Sequence, residues 1–180
     1  MPRYVALLRA INVGGHIVKM DRLRALFQEM GFENVQTFIA SGNVIFDSPS
    51  TDAAALERTI EALLKQSLGY AVDTFLRTPA ELAAIVEYDV FPGEDEANRH
   101  ALYVTFVRDP LSAEAQERLS AFNTPTDEFR THQREVYWLC RVKMSDSPIT
   151  GAKLEKAFGG SGTMRNVTTV RKLAAKYPVD

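Results

Sequence analysis

The sequence is poor in the features that assign a chain to a specialised class of protein. It has a single cysteine, Cys140, among 180 residues, which excludes an internal disulfide and a thiolate zinc site. The formal net charge of −2 gives no general attraction to nucleic acid or to an anionic membrane. No apolar run is long enough to span a bilayer. We therefore expect a cytoplasmic protein with no membrane partner and, because a strand begins at Tyr4, no signal peptide.

Catalytic and cofactor motifs are scarce as well. The three histidines, His16, His100 and His132, lack the spacing of metal ligands, so no metal site is predicted. There is no nucleophile elbow, no dinucleotide fingerprint and no P-loop. Cys140 lies between Trp138 and Val142 in a predicted strand, which favours a buried, inert thiol. The sequence thus identifies no cofactor and no catalytic residue, and it leaves open whether the protein is an enzyme.

The first part of the chain has the order of a split βαβ unit. Strands are predicted over residues 4–11, 35–39, 44–46 and 72–76, with helices starting near Met20 and Asp52. This β-α-β-β-α-β order is typical of a ferredoxin-like fold. The first strand is apolar on both faces as far as Arg9, so we expect both faces of its sheet to be covered.

A second round of the same order follows. Thr78 and Glu81, with a proline between them, form a predicted capping box at the start of a short helix. The remaining predictions are a strand over 102–107, a helix over 112–122, a hairpin over 128–142, and helices over 151–158 and 165–176. We predict an α+β protein of two packed ferredoxin-like subdomains, residues 1–77 and residues 78–180, the second ending in two helices.

The loop after the first strand is the first candidate ligand site. Asn12, Gly14 and Gly15 allow the backbone to approach a ligand closely, although the same residues suit a tight connection to the next helix. Arg9 ends the apolar strand and must reach either solvent or a buried partner. The position of Arg9 therefore distinguishes a ligand site from a merely structural loop better than the glycines do.

Two later polar segments resemble this loop in character. Ser41 and Asn43 flank a glycine in a predicted turn. The glycine-rich segment 159–162 precedes a predicted helix, whose N-terminus would favour an anion. Thr163 would cap that helix, and Arg165 would bind a phosphate or carboxylate through two hydrogen bonds. A flexible loop with a solvated arginine is the alternative interpretation.

The polar segments also carry a resemblance to a known family. The sequence resembles DUF1697, a domain of unknown function found in small, mostly bacterial proteins. The matching residues are Leu-Arg-Ala-Ile-Asn-Val-Gly-Gly at 8–15, Met20, Leu23, Gly-Phe at 31–32, Ser-Gly-Asn-Val-Ile-Phe at 41–46, Thr-Met-Arg-Asn at 163–166, Thr-Val at 169–170 and Lys-Leu at 172–173. The resemblance implies two ferredoxin-like subdomains and no particular reaction. Val167 replaces the family's usual aromatic residue, and segment 150–154 lacks the Arg and Ser of its relatives.

These observations favour a binding protein for a phosphorylated or otherwise anionic small molecule, held in a cleft between the subdomains. The predicted ligand-binding residues are Arg9, Asn12, Gly14, Gly15, Ser41, Asn43, Thr163, Arg165 and Asn166. A nucleic-acid-binding module is the alternative, because ferredoxin-like sheets can present aromatic side chains to bases, but the net charge and the lack of an RNP1-like string disfavour it. A third alternative is an interaction protein whose polar loops contact another subunit.

Overall fold

Two four-stranded antiparallel sheets with the same strand plan form the framework of the chain. The computed structural model describes residues 1–12, 14–39, 42–95 and 99–180. It divides into two compact units, Met1–Ala84 with Leu173–Asp180 and Ile85–Lys172, which we call the first and second units. The α+β fold with two ferredoxin-like subdomains predicted from the sequence is confirmed. That residues 1–77 and 78–180 form the two domains stays a prediction.

The central strand of the first unit is the apolar strand at the start of the chain. The elements are β1 (Arg3–Leu8), α1 (Met20–Glu29), β2 (Glu33–Thr37), β3 (Asn43–Asp47), α2 (Ala53–Leu68) and β4 (Thr74–Arg77), with sheet order β2-β3-β1-β4. Tyr4, Ala6 and Leu8 point to one face and pack in a core with α1 and α2. Val5 and Leu7 on the other face are fully buried too, so both faces are covered as expected.

The helix that follows β4 begins with the predicted capping box. In α3 (Pro79–Glu87), the Thr78 backbone N–H donates to Glu81 Oε2 at 2.8 Å, and the Glu81 N–H donates to Thr78 Oγ1 at 3.2 Å. Each of the two side chains therefore accepts a hydrogen bond from the other residue's backbone N–H, and together they start the helix.

Among the described residues, no helix combines the length and the apolar character needed to cross a membrane.

The second unit repeats the plan with a central strand of its own. Its elements are β5 (Ala101–Phe106), α4 (Ala113–Ser120), β6 (Asp127–His132), β7 (Glu135–Cys140), α5 (Gly151–Phe158), β8 (Thr163–Asn166) and the start of α6 (Val167–Lys176), with sheet order β6-β7-β5-β8. Trp138 and Val136 of β7 lie in the core that α4 and α5 cover through Leu119 and Leu154. Leu102 and Tyr137, on the opposite face, are buried as well.

The largest error of the sequence analysis concerns the last strand. The helix predicted over 165–176 starts only at Val167, because Thr163–Asn166 form β8. This strand pairs antiparallel with β5, from Phe106 opposite Thr163 to Tyr103 opposite Asn166. The central strand β5 thereby gains a neighbour on its second edge and satisfies its backbone groups. Thr-Met-Arg-Asn does not alternate strictly between apolar and polar residues, so no pattern predicts a strand there.

Gly162 allows β8 to lie against β5. A Cβ at this position would lie 2.7 Å from Thr105 Cγ2 and 3.1 Å from the Phe106 carbonyl oxygen, whereas a Cβ at Gly160 would meet nothing within 4 Å. Gly162→Ala should therefore lower the free energy of unfolding by about 1–3 kcal/mol through overpacking. Gly160→Ala, the matched control, should stay within about 0.5 kcal/mol of the parent. Urea unfolding measures both, and equal stability of the two variants would contradict the close approach of β8.

Candidate functional site

Asn12 and the two glycines after it shape the loop that leaves β1. Asn12 Oδ1 accepts a hydrogen bond from the Val18 backbone N–H at 2.7 Å, which closes the loop before α1. Gly14 and Gly15 have φ angles of +65° and +84°, in the left-handed region that favours glycine. These residues form the tight connection that the sequence analysis gave as the alternative to a ligand site, and their role in binding stays a prediction.

Asn43 lies at the same end of the first sheet as this loop. Its side chain is fully buried, and Nδ2 donates to the Phe38 carbonyl oxygen at 2.9 Å, which ties β3 to the turn before it. The Leu8 backbone N–H donates to the Gly42 carbonyl oxygen at 2.9 Å. The antiparallel pairing of β1 with β3 therefore brings Asn12 and Asn43 to the same end of the sheet.

Arg9 lies at this end of the sheet and reaches solvent. Its side chain is about one third exposed, and its Nη1 lies 3.9 Å from Asp73 Oδ2. The Arg9 backbone N–H also donates to the Asp73 carbonyl oxygen at 2.9 Å. An exposed pair at this distance contributes little to stability. Ser41, the remaining predicted ligand residue of this unit, lies outside the described residues.

The glycine-rich segment of the second unit does not lead into a helix. Gly159 ends α5 with a left-handed φ of +76°, and Gly162 enters β8. The prediction that Thr163 caps a helix is therefore wrong, since Thr163 is the first residue of a strand. Its Oγ1 instead accepts a hydrogen bond from Arg165 Nη1 at 2.7 Å. The helix N-terminus at which the sequence analysis expected an anion is the start of α6 at Val167, and anion binding there stays a prediction.

Arg165 is a buried residue of the sheet. It is 8% exposed, and its Nη1 also donates to the Met164 carbonyl oxygen at 3.0 Å. Burial lowers the pKa of Arg165 to about 10, which leaves the guanidinium protonated at neutral pH. Its part in ligand binding stays a prediction.

The first unit has an arginine at the equivalent position. Arg77 pairs with Val5 in the central strand, as Arg165 pairs with Val104. Its Nη1 donates to the carbonyl oxygen of Leu76, the preceding residue, at 2.9 Å. In both units the buried arginine is followed by one capping residue and then by a helix. The sequence analysis detected no repeat, because this correspondence depends on strand register and not on sequence identity.

Asn166 is the capping residue of the second unit. Its Oδ1 accepts a hydrogen bond from the Thr168 backbone N–H at 2.9 Å, which satisfies a donor in the first turn of α6. Because Asn166 lies opposite Tyr103, the start of α6 lies beside the chain that enters β5. The His100 backbone N–H donates to the Cys140 carbonyl oxygen at 2.8 Å and fixes that entry. Two segments far apart in sequence thus meet at one sheet edge.

A cavity of about 210 Å³ lies where these segments meet, and we call it the arginine pocket. Arg99 and Arg171 line it, together with His100, Asn166 and Thr168, and none of the lining residues that the structure describes carries a carboxylate. A second cavity of about 180 Å³ shares Arg99 and Arg171 with the first. We call it the aromatic pocket, because Tyr88, Phe91 and Tyr137 line it. Of the predicted ligand residues of this unit, Asn166 lines the arginine pocket and Arg165 does not.

The guanidinium of Arg99 has an unusual environment. Its Nε is buried and has no hydrogen-bond partner within the part of the chain that the structure describes. Glu94 lies within electrostatic range, but its two carboxylate oxygens accept hydrogen bonds from Arg141 at 2.9 and 3.0 Å. A buried donor without an acceptor is costly, so Arg99 is held at this position at some expense to stability. No sequence signal identified Arg99, since its partners come from a distant strand and helix.

Over residues 1–12, 14–39, 42–95 and 99–180, no group of three or more His, Cys, Asp or Glu side chains is placed to hold a metal ion.

The fold and the pocket define a class: an α+β protein of two ferredoxin-like units, the second of which carries an arginine-lined cavity. The chain belongs to the DUF1697 family, described as a protein of unknown function, whose model matches residues 1–137. The C-terminal part of the resemblance, at 163–173, lies beyond the matched residues.

A solved structure has the same fold. The conserved bacterial protein SP0830 from Streptococcus pneumoniae is 22% identical in sequence, with a TM-score of 0.77 over 98% of this chain and 99% of that protein's chain. At this identity the similarity shows the fold alone. No curated protein gives a significant sequence match.

Cys140 can be tested directly because it is the only cysteine. It is fully buried in the core with Val136 and Trp138, and burial raises the pKa of its thiol to about 12, with a smaller contribution from the charge of Asp127. Since the thiolate is the reactive form, iodoacetamide at pH 8 should leave the folded protein unmodified over hours. The same reagent in urea should alkylate it fully. Intact mass gives the readout, and rapid labelling of the folded protein would contradict an inert thiol.

Proposed function

We propose that the protein binds an anionic small molecule, carrying a phosphate or carboxylate group, in the arginine pocket of the second unit. The observation that carries this proposal is that the side chains of Arg99 and Arg171 line one cavity, with no carboxylate among its described lining residues. Because Arg171 adds a second positive charge to the cavity that Arg99 lines, a bound anion would offset the repulsion between the two guanidinium groups. Guanidinium groups are suited to this because they bind phosphate and carboxylate through paired hydrogen bonds.

The N-terminus of α6 adds positive electrostatic potential to the arginine pocket, which favours an anion. Val167 and Thr168 of its first turn line the pocket, and the helix dipole places positive potential there. Asn166 uses its Oδ1 as the helix cap, so its amide nitrogen still carries N–H donors for a ligand. Asn166 thus caps the helix with its side-chain oxygen and can donate hydrogen bonds to a ligand from its side-chain nitrogen.

The equivalent helix of the first unit gives an internal comparison. There the capping residue Thr78 is followed three positions later by Glu81, whose carboxylate occupies the N-terminus of α3. In α6 the residue three positions after Asn166 is Thr169, which carries no charge. The first unit therefore neutralises its helix N-terminus internally, whereas the second leaves it to an external anion.

The proposal keeps the ligand class that the sequence predicted and gives it a defined location in the second unit. The predicted residues of the first unit, Arg9, Asn12, Gly14, Gly15 and Asn43, are not needed for this pocket. Their participation in the ligand site remains a separate prediction.

Titration with inorganic phosphate tests the proposal, with binding followed by amide chemical shifts at constant ionic strength. Arg99→Gln and Arg171→Gln should each weaken binding about tenfold or more, as expected for the loss of a charged hydrogen bond of about 1.5–3 kcal/mol. Lys172→Gln is the matched control, because it removes the same charge from the next residue of α6, which does not line the pocket. Equal weakening by all three variants, or no binding to the parent protein, would contradict the proposal.

The thermal stability of the phosphate-free protein provides a second readout. Arg99→Gln removes a half-buried cation whose buried Nε has no partner among the described residues, so the melting temperature should stay the same or rise. The stabilisation that phosphate gives to the parent should be lost in this variant. A purely structural Arg99 would give the opposite result, a lower melting temperature without phosphate.

A further inference from the structure

The aromatic pocket shows what else the ligand of the arginine pocket must carry. We propose that this ligand is a nucleoside monophosphate, with its phosphate between Arg99 and Arg171 and its base and sugar in the aromatic pocket. This inference rests on the proposed function and extends it. The two cavities share Arg99, Leu102, Val167 and Arg171 as lining residues, so a single molecule can extend from one into the other.

Tyr88 gives the aromatic pocket a ring that can stack on a base. It is 41% exposed, and its ring stacks on His132 with centroids 3.8 Å apart and planes 10° apart. The histidine holds the tyrosine ring in place from one side. Stacking on aromatic side chains is the usual way in which proteins bind unpaired bases.

The wall next to Tyr88 is fixed in the absence of ligand. Phe91 is almost fully buried, and the Arg130 guanidinium lies 4.8 Å from the centre of its ring. Arg130 Nη1 also donates to the Val90 carbonyl oxygen at 2.9 Å. These contacts tie the segment after α3 to β6, so the pocket is formed before a ligand binds and less binding free energy is lost to ordering.

The charges of the aromatic pocket distinguish a nucleotide from a simple anion. Glu87 and Asp89 line this pocket, at which a second anionic group would be repelled. Carboxylates only accept hydrogen bonds, so the part of the ligand beside them must donate. The hydroxyl groups of a ribose and the amino group of a base are such donors, and carboxylates hold ribose hydroxyls in dinucleotide-binding folds. The arginines line both cavities, whereas Glu87 and Asp89 line the aromatic pocket alone, and this distribution matches a phosphate in one cavity and a sugar in the other.

The size of the site limits the ligand to a single nucleotide. The cavities measure about 180 and 210 Å³, and together they lie near the lower end of the roughly 300–1,000 Å³ of small-molecule pockets. A polynucleotide site would need further cations along a backbone track. The formal net charge of −2 fits a mononucleotide better than a strand.

Calorimetric titration of the full chain tests the inference with four nucleoside monophosphates, AMP, GMP, CMP and UMP, and with inorganic phosphate and ribose 5-phosphate. At least one nucleotide should bind about tenfold more tightly than ribose 5-phosphate, as expected for one stacked base. Tyr88→Ala should abolish this advantage and leave phosphate affinity unchanged, while Tyr88→Phe should keep it. Tyr70→Ala is the matched control, because Tyr70 also stacks on a histidine at 3.8 Å but lies in the first unit.

Removal of the two carboxylates of the aromatic pocket should change the affinities for nucleotide and for inorganic phosphate in different directions. The double variant Glu87→Gln/Asp89→Asn should weaken the nucleotide severalfold and bind inorganic phosphate equally well or better, because a repulsive charge is removed. If phosphate binds but no nucleotide exceeds ribose 5-phosphate, this inference is overturned and the proposed function stands. If phosphate itself does not bind, the proposed function fails. Tighter binding of a single-stranded RNA or of phosphotyrosine than of every nucleotide would also overturn the inference.

Discussion

The antiparallel register between β5 and β8 is the constraint on which the candidate site depends. Asn166 lies opposite Tyr103, and β8 continues directly into α6, so the first turn of that helix must lie beside the entry to β5. Arg99 and Arg171 line one cavity for this reason alone. A slip of one residue would exchange the faces of Arg165 and Asn166, burying the cap and exposing the buried guanidinium. The close contact at Gly162 helps to hold the register.

Local signals in the sequence were sufficient to predict most of the fold. The capping box at Thr78 and the apolar first strand each determine their own structure through neighbours in sequence. β8 escaped prediction because Thr163–Asn166 does not alternate between apolar and polar residues, and because its polar residues suggested a loop and a helix. Arg165 attracted attention as a cation in a polar segment, yet its place in a strand makes it part of the sheet. The residues that line the arginine pocket could not be paired from sequence, since only the strand register brings them together.

Chain-level charge conceals the electrostatic character of the second unit. The net charge of −2 argues against general anion binding, but the arginine pocket combines two guanidinium groups with an open helix N-terminus. Local potential in a concave site depends on the groups that line it and on the low dielectric of its walls. The first unit shows the contrasting arrangement, in which Glu81 closes the equivalent helix. The same architecture thus has one helix N-terminus with a carboxylate in its cap and one that is capped by the uncharged Asn166.

Anomalous diffraction from crystals soaked in selenate tests this account most directly. Selenate is a tetrahedral dianion of nearly the same shape as phosphate, and selenium can be located without ambiguity. The account predicts a selenium peak within hydrogen-bond reach of the guanidinium groups of Arg99 and Arg171. Selenate bound elsewhere on the protein, with the arginine pocket accessible in the crystal and empty, would contradict it.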